Sequence, residues 1–290
     1  MDVGFLGRVG TAVTGITRGV FGGGSGPSNV MDFITIATEA NATDFGDLTV
    51  ARGALGGLAS DTRGVFGGGA GTSNVMDFIT VASEGNATDF GDLTVGRDSL
   101  AGLASTTRGV YGGGTDGANS NVMDFITIAT TGNATDFGDL SETRRALGGL
   151  ASDTRGVYGG GFAGARTNVM DFITIATTGN ATDFGDLTVA RNVLAGLASD
   201  TRGVYGGGFD ASSDVMDFIT IATTGNATDF GNLTGTRHDL AGLASETRGV
   251  FAGGVGPSNV MDFITIDTTG NATDFGDLTV ARSSLAGLAA

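Results

Sequence analysis

One stretch of 33 residues, RGVFGGGAGTSNVMDFITVASEGNATDFGDLTV (63–95), recurs along the chain with few changes. The frame TRGV has a period of 45 to 47 residues and places its arginine at Arg18, Arg63, Arg108, Arg155, Arg202 and Arg248. A repeat of this length is typical of propeller blades and of solenoid units. The chain therefore contains six copies of one supersecondary unit.

Each unit divides into four short strand candidates. In the second unit they are ALGGLAS (54–60), RGVFGGG (63–69), NVMDFITVAS (74–83) and ATDFGDLTV (87–95). Val, Ile, Phe and Thr favour strands, whereas glycine and β-branched residues disfavour helices. EGN (84–86) predicts a turn in which Gly and Asn take positive φ. Four strands per unit predict an all-β fold, a six-bladed propeller of four-stranded antiparallel blades.

The chain ends predict how the ring closes. The first-strand pattern occurs six times, and its last copy, SSLAGLAA (283–290), has no RGV after it. We expect this copy to supply the innermost strand of the unit that begins at Arg18, so that the N- and C-terminal regions share a blade. The alternative for that place is GTAVTGIT (10–17). Residues 1–17 are then an N-terminal arm or a closing strand, and residues 18–290 form the propeller.

The units resemble the kelch repeat. Each has an arginine before the inner strand, a glycine doublet that closes the second strand, and an aromatic residue in the fourth, where Phe45 and its equivalents replace the usual Trp. The near-identical GVFGGG…ITIATTGNATDFGDLT units are similar to kelch-like proteins of marine phages, cyanophages in particular. The resemblance covers about residues 10–290. It implies a propeller in a virion, part of a tail, fibre or other appendage, made in the host cytoplasm and bound to other virion or tail proteins.

TDFGDL occurs five times, and a sixth copy reads TDFGNL, the first starting at Thr43. A calcium site needs six to eight oxygens, and this hexapeptide offers two carboxylates around Phe-Gly. We expect scaffold instead, with one aspartate accepting backbone N–H groups in a turn and the other facing an arginine. NAT at Asn41 and its equivalents is interpreted as a turn and not as a glycosylation site. We predict no metal and no cofactor.

The composition excludes several function classes. A net charge of −16 argues against binding to nucleic acid and to anionic membranes. No apolar run reaches the ~18 residues of a membrane span, so we expect no membrane insertion. With no Cys and only His238, the chain lacks a thiol nucleophile and the ligands of copper-radical oxidases built on propellers. Because Asp and Glu are abundant, the composition does not exclude the catalytic carboxylate pair of a glycosidase. We predict a protein that is not an enzyme.

Differences among the six units are concentrated in two connections. The loop between the second and third strands varies most, and the link that follows the Arg52-type arginine varies next. In an up-and-down blade both connections emerge on the same face. Loops on a rigid scaffold commonly carry binding sites. The sequence therefore predicts one variable face that binds a partner protein or a host surface glycan or receptor.

The candidate binding residues are off-template side chains in these connections: Phe162, Arg166, Phe209, Asp210, His238, Asp116 and Asn119. Aromatic rings beside polar groups suit sugars or a protein partner. In the alternative, both Phe rings fold over their own glycine triplets and His238 is an ordinary surface residue. In the apolar arm VGFLGRVGTAVTGI (3–16), Phe5 and Leu6 are candidate anchors that dock onto a second protein.

Overall fold

A computed structural model describes residues 17–210 and 213–290. The described residues form 24 strands in six four-stranded antiparallel sheets, which are the blades of a closed propeller. The predicted fold class is confirmed.

The strands follow one another in blade order around the ring. Blade 1 contains β1 (Arg18–Gly22), β2 (Val30–Thr35) and β3 (Thr43–Asp47), and blade 2 contains β4 (Gly56–Ala59), β5 (Arg63–Gly67), β6 (Val75–Thr80) and β7 (Thr88–Asp92). Blade 3 contains β8 (Ala101–Ala104), β9 (Arg108–Gly112), β10 (Val122–Thr127) and β11 (Thr135–Asp139). Blade 4 contains β12 (Gly148–Ala151), β13 (Arg155–Gly159), β14 (Val169–Thr174) and β15 (Thr182–Asp186). Blade 5 contains β16 (Ala195–Ala198), β17 (Arg202–Gly206), β18 (Val215–Thr220) and β19 (Thr228–Asn232). Blade 6 contains β20 (Ala241–Ala244), β21 (Arg248–Ala252), β22 (Ser258–Thr265) and β23 (Thr273–Arg282), and β24 (Ala286–Ala289) completes blade 1.

The C-terminal strand closes the ring. β24 pairs antiparallel with β1, with Gly19 opposite Ala289 and Val20 opposite Leu288. The N–H of Arg18 donates to the carbonyl of Ala290 at 3.0 Å. The predicted closure by the last copy of the first strand is therefore confirmed. The proposed arm, with Phe5 and Leu6, lies outside the described residues.

The hydrophobic core lies between blades, where rings and leucines pack on glycine. Phe66 of blade 2 is fully buried against Gly22 of blade 1, and a Cβ at Gly22 would lie 2.7 Å from that ring. Leu288 packs on Gly64 in the same way. Each interface therefore depends on a small residue in one blade and a large one in the next, which makes adjacent blades complementary.

Three blades carry tyrosine at the Phe66 position. Their hydroxyls donate to a valine carbonyl of the preceding blade at 2.9–3.0 Å, in the pairs Tyr111–Val65, Tyr158–Val110 and Tyr205–Val157. Burial raises the pKa of each phenol well above its ordinary value, because the phenolate would lose its hydration. The hydroxyl stays protonated and acts as a donor between blades.

Glycine also permits close contact at the ring axis. The glycines of the GGG triplet lie elsewhere, since in blade 1 Gly23 (φ 72°) and Gly24 (φ 145°) form the turn out of β1. The residues that meet on the axis are Gly57, Gly102, Gly149, Gly196, Gly242 and Gly287. A Cβ at Gly57 would lie 2.6 Å from the carbonyl oxygen of Gly287. The inner strands can surround the axis this tightly because they carry glycine there.

TDFGDL is scaffold, but its aspartates do not have the predicted partners. The pairing of β2 with β3 shifts between Met31 and Asp32, so Phe45 forms a bulge and is 2% exposed. The bulge leaves Asp44 exposed. No described arginine pairs with Asp44 or with Asp47, so the expected arginine contact was wrong. The bulge changes the alternation of inward and outward side chains, which the sequence does not show.

The arginine-facing carboxylates belong instead to the third strand. Arg144 Nη2 lies 2.8 Å from Asp171 Oδ2, both side chains are fully buried, and the Ser141 hydroxyl donates to the other oxygen at 2.6 Å. The six equivalent pairs are Arg52–Asp77, Arg97–Asp124, Arg144–Asp171, Arg191–Asp217, Arg237–Asp262 and Arg282–Asp32. Burial raises the pKa of Asp32 and lowers that of Arg282, because each charge loses hydration, and the partner's charge opposes both shifts.

The NAT asparagines are turn residues, as predicted, and they also join blades. Asn86 Oδ1 accepts a hydrogen bond at 3.0 Å from the N–H of Asp47 in the preceding blade. Gly85 takes the positive φ of this turn (153°), and its N–H donates to the Phe45 carbonyl at 2.8 Å. Each of these turns thereby covers part of the outer strand edge of its neighbour.

Candidate functional site

We define the variable face by its connections. It comprises the loops between second and third strands and the links from fourth to first strands, at residues 23–29, 68–74, 113–121, 160–168, 207–210, 213–214 and 253–257, and at residues 48–55, 93–100, 140–147, 187–194, 233–240 and 283–285. Because the strands alternate in direction, both sets emerge on one side of the disc. This placement confirms the prediction that the variable positions share a face.

The two variable connections of a blade are also hydrogen-bonded to each other. The residue after each link arginine pairs through its backbone with the residue after the glycine triplet, in the pairs Gly53–Ala70, Asp98–Thr115, Arg145–Phe162, Asn192–Phe209, His238–Val255 and Ser283–Ser25. The N–H of Phe162, for example, donates to the carbonyl of Arg145 at 2.8 Å. Loop and link therefore vary at positions that are in direct contact.

The next residue of each link forms a ring around the axis. The residues are Ala54, Ser99, Ala146, Val193, Asp239 and Ser284, all with φ of 51–59°. The N–H of each donates to the carbonyl of its counterpart in the preceding blade at 2.7–2.9 Å, which closes a cycle of six hydrogen bonds. Left-handed backbone at a non-glycine residue is sustained only where the surroundings enforce it. The centre of the variable face is therefore held rigidly, around a cup of about 90 Å³.

Three of the predicted residues form one exposed cluster across three blades. The ring of Phe209 is 44% exposed. The guanidinium of Arg166 lies 4.5 Å from its centroid, and the His238 ring meets it in an edge-to-face contact at a centroid distance of 5.0 Å. The ring of Phe209 is therefore accessible from solvent on the variable face. An aromatic ring that contacts both a cation and an imidazole is a preorganised contact surface.

A second group of predicted residues lies in the two preceding loops. Asn119 Nδ2 donates to the carbonyl of Phe162 at 2.8 Å, which joins blade 3 to blade 4. Phe162 is half-buried, with the guanidinium of Arg145 5.4 Å from its ring centroid. Asp116 is exposed at the tip of its loop, where its carboxylate accepts from the N–H of Ala118. Asp210, which follows Phe209 in its own loop, is half-buried, and its charge acts on Arg191.

Sequence reasoning missed Arg145, although the signal was present. It is one of three arginines outside the repeat template, and it occupies a variable link position. Its contact with Phe162 requires the backbone pairing of loop and link, which a single sequence does not display.

His238 belongs to a polar chain at the rim of the axial cup. Its Nδ1 lies 2.8 Å from Asp239 Oδ2, and the Ser284 hydroxyl donates to Asp239 Oδ1 at 3.1 Å. The carboxylate stands between imidazole and hydroxyl, whereas nucleophile activation needs the imidazole in the middle. This order is therefore not that of a Ser-His-Asp triad.

Within residues 17–210 and 213–290, no three His, Cys, Asp or Glu side chains are grouped so that they could hold a metal ion. Within the same ranges, no helix is long and apolar enough to cross a membrane.

Comparisons with known proteins support the fold. Searches of protein-family profiles and of curated protein sequences found no match. Among solved structures, the chain is similar to one titled "Structure of YjhT", with a TM-score of 0.69 over 83% of this chain and 88% of that chain, at 10% sequence identity. At this identity the likeness shows the fold alone, and one fold hosts many functions. The chain is a six-bladed β-propeller, and its function has to be argued from its own surface.

Proposed function

We propose that this protein is a non-enzymatic binding module whose variable face holds a partner. One observation carries the proposal: the six units differ most in the connections of this face, where Arg166, Phe209 and His238 form an exposed cluster. Arginine and aromatic residues are enriched among those that dominate binding energy. The repeated part supplies a rigid frame, and the loops supply the specificity.

The site geometry favours binding over catalysis. The axial cup of about 90 Å³ is smaller than the ~300–1,000 Å³ of typical small-molecule sites. The hydrogen-bond order of His238, Asp239 and Ser284 differs from that of a Ser-His-Asp triad. Both features support a surface that recognises without reacting.

Matched substitutions on the variable face test this proposal. Phe209→Ala and Arg166→Ala should weaken capture of the partner, because they remove the exposed ring and the cation over it. Val255→Ala is the control, because Val255 is 49% exposed on the same face but outside the cluster. Surface plasmon resonance against candidate host-surface extracts and virion proteins provides the measurement. Equal binding by all three variants would contradict the assignment of the cluster.

The finer proposal is a phage virion protein, in a tail, fibre or surface appendage. It is supported by the resemblance of the repeat and by the apolar composition of residues 3–16. Mass spectrometry of purified particles should detect the chain, and immunogold labelling should place it on an appendage. Particles that lack the chain would contradict this role.

The docking arm is tested separately. Deleting residues 1–16 should leave a folded propeller, since β24 and not the arm completes blade 1. The deleted chain should fail to enter particles if Phe5 and Leu6 anchor it to a second virion protein. Incorporation at the normal level would contradict docking through the arm.

A glycan- or receptor-binding propeller is the second candidate, favoured by the exposed ring of Phe209, and it is compatible with a tail protein. A glycan array should then give a signal that Phe162→Ala with Phe209→Ala removes. A silent array, with selective capture of cellular proteins, would favour the third candidate, a cellular interaction scaffold of kelch type.

A further inference from the structure

The face opposite the variable face carries six equivalent arginines. This lower face comprises the turns between first and second strands and between third and fourth strands. Each arginine opens a second strand and lies on a phenylalanine of its own blade, as Arg108 does at 4.4 Å from the Phe125 centroid. Its Nη1 donates to a carbonyl of the next blade, here Ile175 at 3.1 Å and Ala176 at 2.9 Å. These contacts fix the guanidinium and direct its other amino group away from the core.

Two of the six arginines have a carboxylate partner. Arg18 Nη2 lies 3.4 Å from Glu84 Oε1, and Arg248 Nη2 lies 3.2 Å from Glu39 Oε1. Both glutamates occupy the same position in the turn between third and fourth strands, three residues after the Ile36 position. The repeat itself therefore shows where a carboxylate sits on this guanidinium.

In the other four units the glutamate position holds threonine, at Thr131, Thr178, Thr224 and Thr269. The corresponding arginines are Arg63, Arg108, Arg155 and Arg202, and each keeps its ring contact and its Nη1 hydrogen bond. Within residues 17–210 and 213–290, none of the four forms an ion pair, and Nη2 has no hydrogen-bond partner. Four of the six units therefore keep the arginine of this ion pair but have no carboxylate opposite it.

We propose that these positions bind the carboxylate of an acidic sugar, and that Arg63 and Arg108 are the strongest of them. The ligand carboxylate takes the place of the Glu84 side chain against Nη2, as a charge-assisted hydrogen bond. The site lies on the opposite side of the disc from the variable face. It does not depend on the partner proposed for that face.

Local charge favours Arg63 and Arg108. Each guanidinium lies near the residue two positions before its own arginine and near the equivalent residue of the next blade, as the cleft lined by Asp153, Arg155 and Asp200 shows. Arg63 and Arg108 have one such aspartate each, Asp61 and Asp153, because Thr106 takes the other place, whereas Arg155 has two. The turn that Arg202 reaches also contains Asp267. Because nearby acids repel an anionic ligand, Arg63 and Arg108 are the most favourable of the four positions.

The surroundings of Arg108 favour a sugar over an acidic peptide. A cleft of about 300 Å³ opens on the same turn and is lined by Phe137, Phe172, Thr177, Thr178 and Asn180, among others. Asn180 Oδ1 accepts from the N–H of Asp139, which leaves its NH₂ as a donor. Neutral hydroxyl and amide groups beside aromatic rings, on a turn that the Arg108 guanidinium reaches, suit the hydroxyls, ring face and single carboxylate of a uronic acid. A single exposed pair is weak, so binding depends on several such positions engaging one glycan.

Titration with oligogalacturonate, followed in arginine Nε–Hε NMR spectra, tests the proposal. We expect the Arg108 signal to shift in the wild-type chain. Thr178→Glu places an internal carboxylate on Arg108 and should weaken binding there by about fivefold or more. Thr178→Gln has nearly the same size without the charge and should keep the shift. Glu84→Thr should create a new responding signal, from Arg18.

Two further probes identify the ligand, namely a neutral galacto-oligosaccharide and oligoglutamate. The proposal expects little response to either. Equal binding of the neutral sugar would overturn the role of the carboxylate. Equal or tighter binding of oligoglutamate would overturn the assignment to a sugar, and an Arg108 signal that moves alike in wild type and Thr178→Glu would overturn the site. Thermal unfolding of every variant confirms that each is folded.

Discussion

Arg282 Nη2 donates a hydrogen bond to Asp32 Oδ2 across 250 residues of sequence, and neither side chain is more than 2% exposed. The same pair forms in every blade between the link arginine and the third strand. At this interface, however, the arginine ends blade 6 and the aspartate belongs to blade 1. The pair therefore fastens the closure of the ring with the interaction that the chain uses within its other units.

The buried pair should be far more important for stability than the exposed aspartates of TDFGDL. Asp32→Asn leaves the Arg282 charge buried without a counter-charge, which costs about 3–5 kcal/mol. Asp44→Asn, at an exposed position, should change the free energy of unfolding by less than about 0.5 kcal/mol. Urea unfolding compares the two variants. Similar losses would mean that the TDFGDL aspartates support the fold as the third-strand aspartates do.

Close contact at the axis predicts a specific intolerance of side chains. A Cβ at Gly287 would lie 2.5 Å from the carbonyl oxygen of Gly242, so Gly287→Ala should destabilise by about 1–3 kcal/mol. Gly270 has open space around its Cβ position and no positive φ, so Gly270→Ala is the matched control and should be nearly neutral. The thermal midpoints of the two variants provide the test. A harmless Gly287→Ala would show that the inner strands are farther apart.

The buried tyrosines predict loss of stability in alkali. Their pKa is raised in the folded state, so their contribution is complete below the unfolded value of about 10 and is lost as the pH rises above it. Replacing Tyr111, Tyr158 and Tyr205 by Phe, as blades 1, 2 and 6 already have, should flatten this decline. At neutral pH the triple variant should lose about 1 kcal/mol per hydrogen bond. Thermal midpoints of the wild-type protein and the triple variant, measured on both sides of about pH 10, provide the test. An equally steep fall of the midpoint with pH in both proteins would contradict the prediction.

Replacing Phe209 should have little effect on the stability of the fold, although it should weaken binding of the partner. Phe209→Ala removes a ring that is 44% exposed and should cost less than about 1 kcal/mol. Phe230→Ala empties a core position that is 2% exposed and should cost about 3–5 kcal/mol. Guanidinium unfolding of both variants gives the comparison. A large loss at Phe209 would assign it to the core and weaken its role in recognition.

The sequence was sufficient for the fold because the unit repeats. The strands of one unit could be recognised in all six, and the unpaired final copy of the inner strand predicted the closure by β24. The same repetition made the variable positions visible, including Phe209 and His238. Neither inference needed any knowledge of side-chain contacts.

The partners of the charged residues could not be predicted in the same way. Asp32, Asp44 and Asp47 recur with the same period as the link arginines, so periodicity cannot tell which of them is buried. The bulge at Phe45 decides this by turning Asp44 outward, and a bulge leaves little signal in one sequence. The hydrogen-bonded loop and link, and the glutamates that pair with Arg18 and Arg248, likewise depend on contacts between distant segments.

A disulfide across the closure tests the central claim, a ring completed by its own C-terminal strand, most directly. The chain has no Cys, and Arg18 and Ala290 exchange two backbone hydrogen bonds, at 3.0 and 3.1 Å. Such a pair has a Cα separation of about 5.5 Å, which suits a disulfide. Arg18→Cys with Ala290→Cys should therefore oxidise within the monomer and raise the thermal midpoint. Arg155→Cys with Ala290→Cys, which uses the equivalent position in blade 4, should keep both thiols free. Free thiols in the first variant, or a disulfide in the second, would contradict a ring closed by β24.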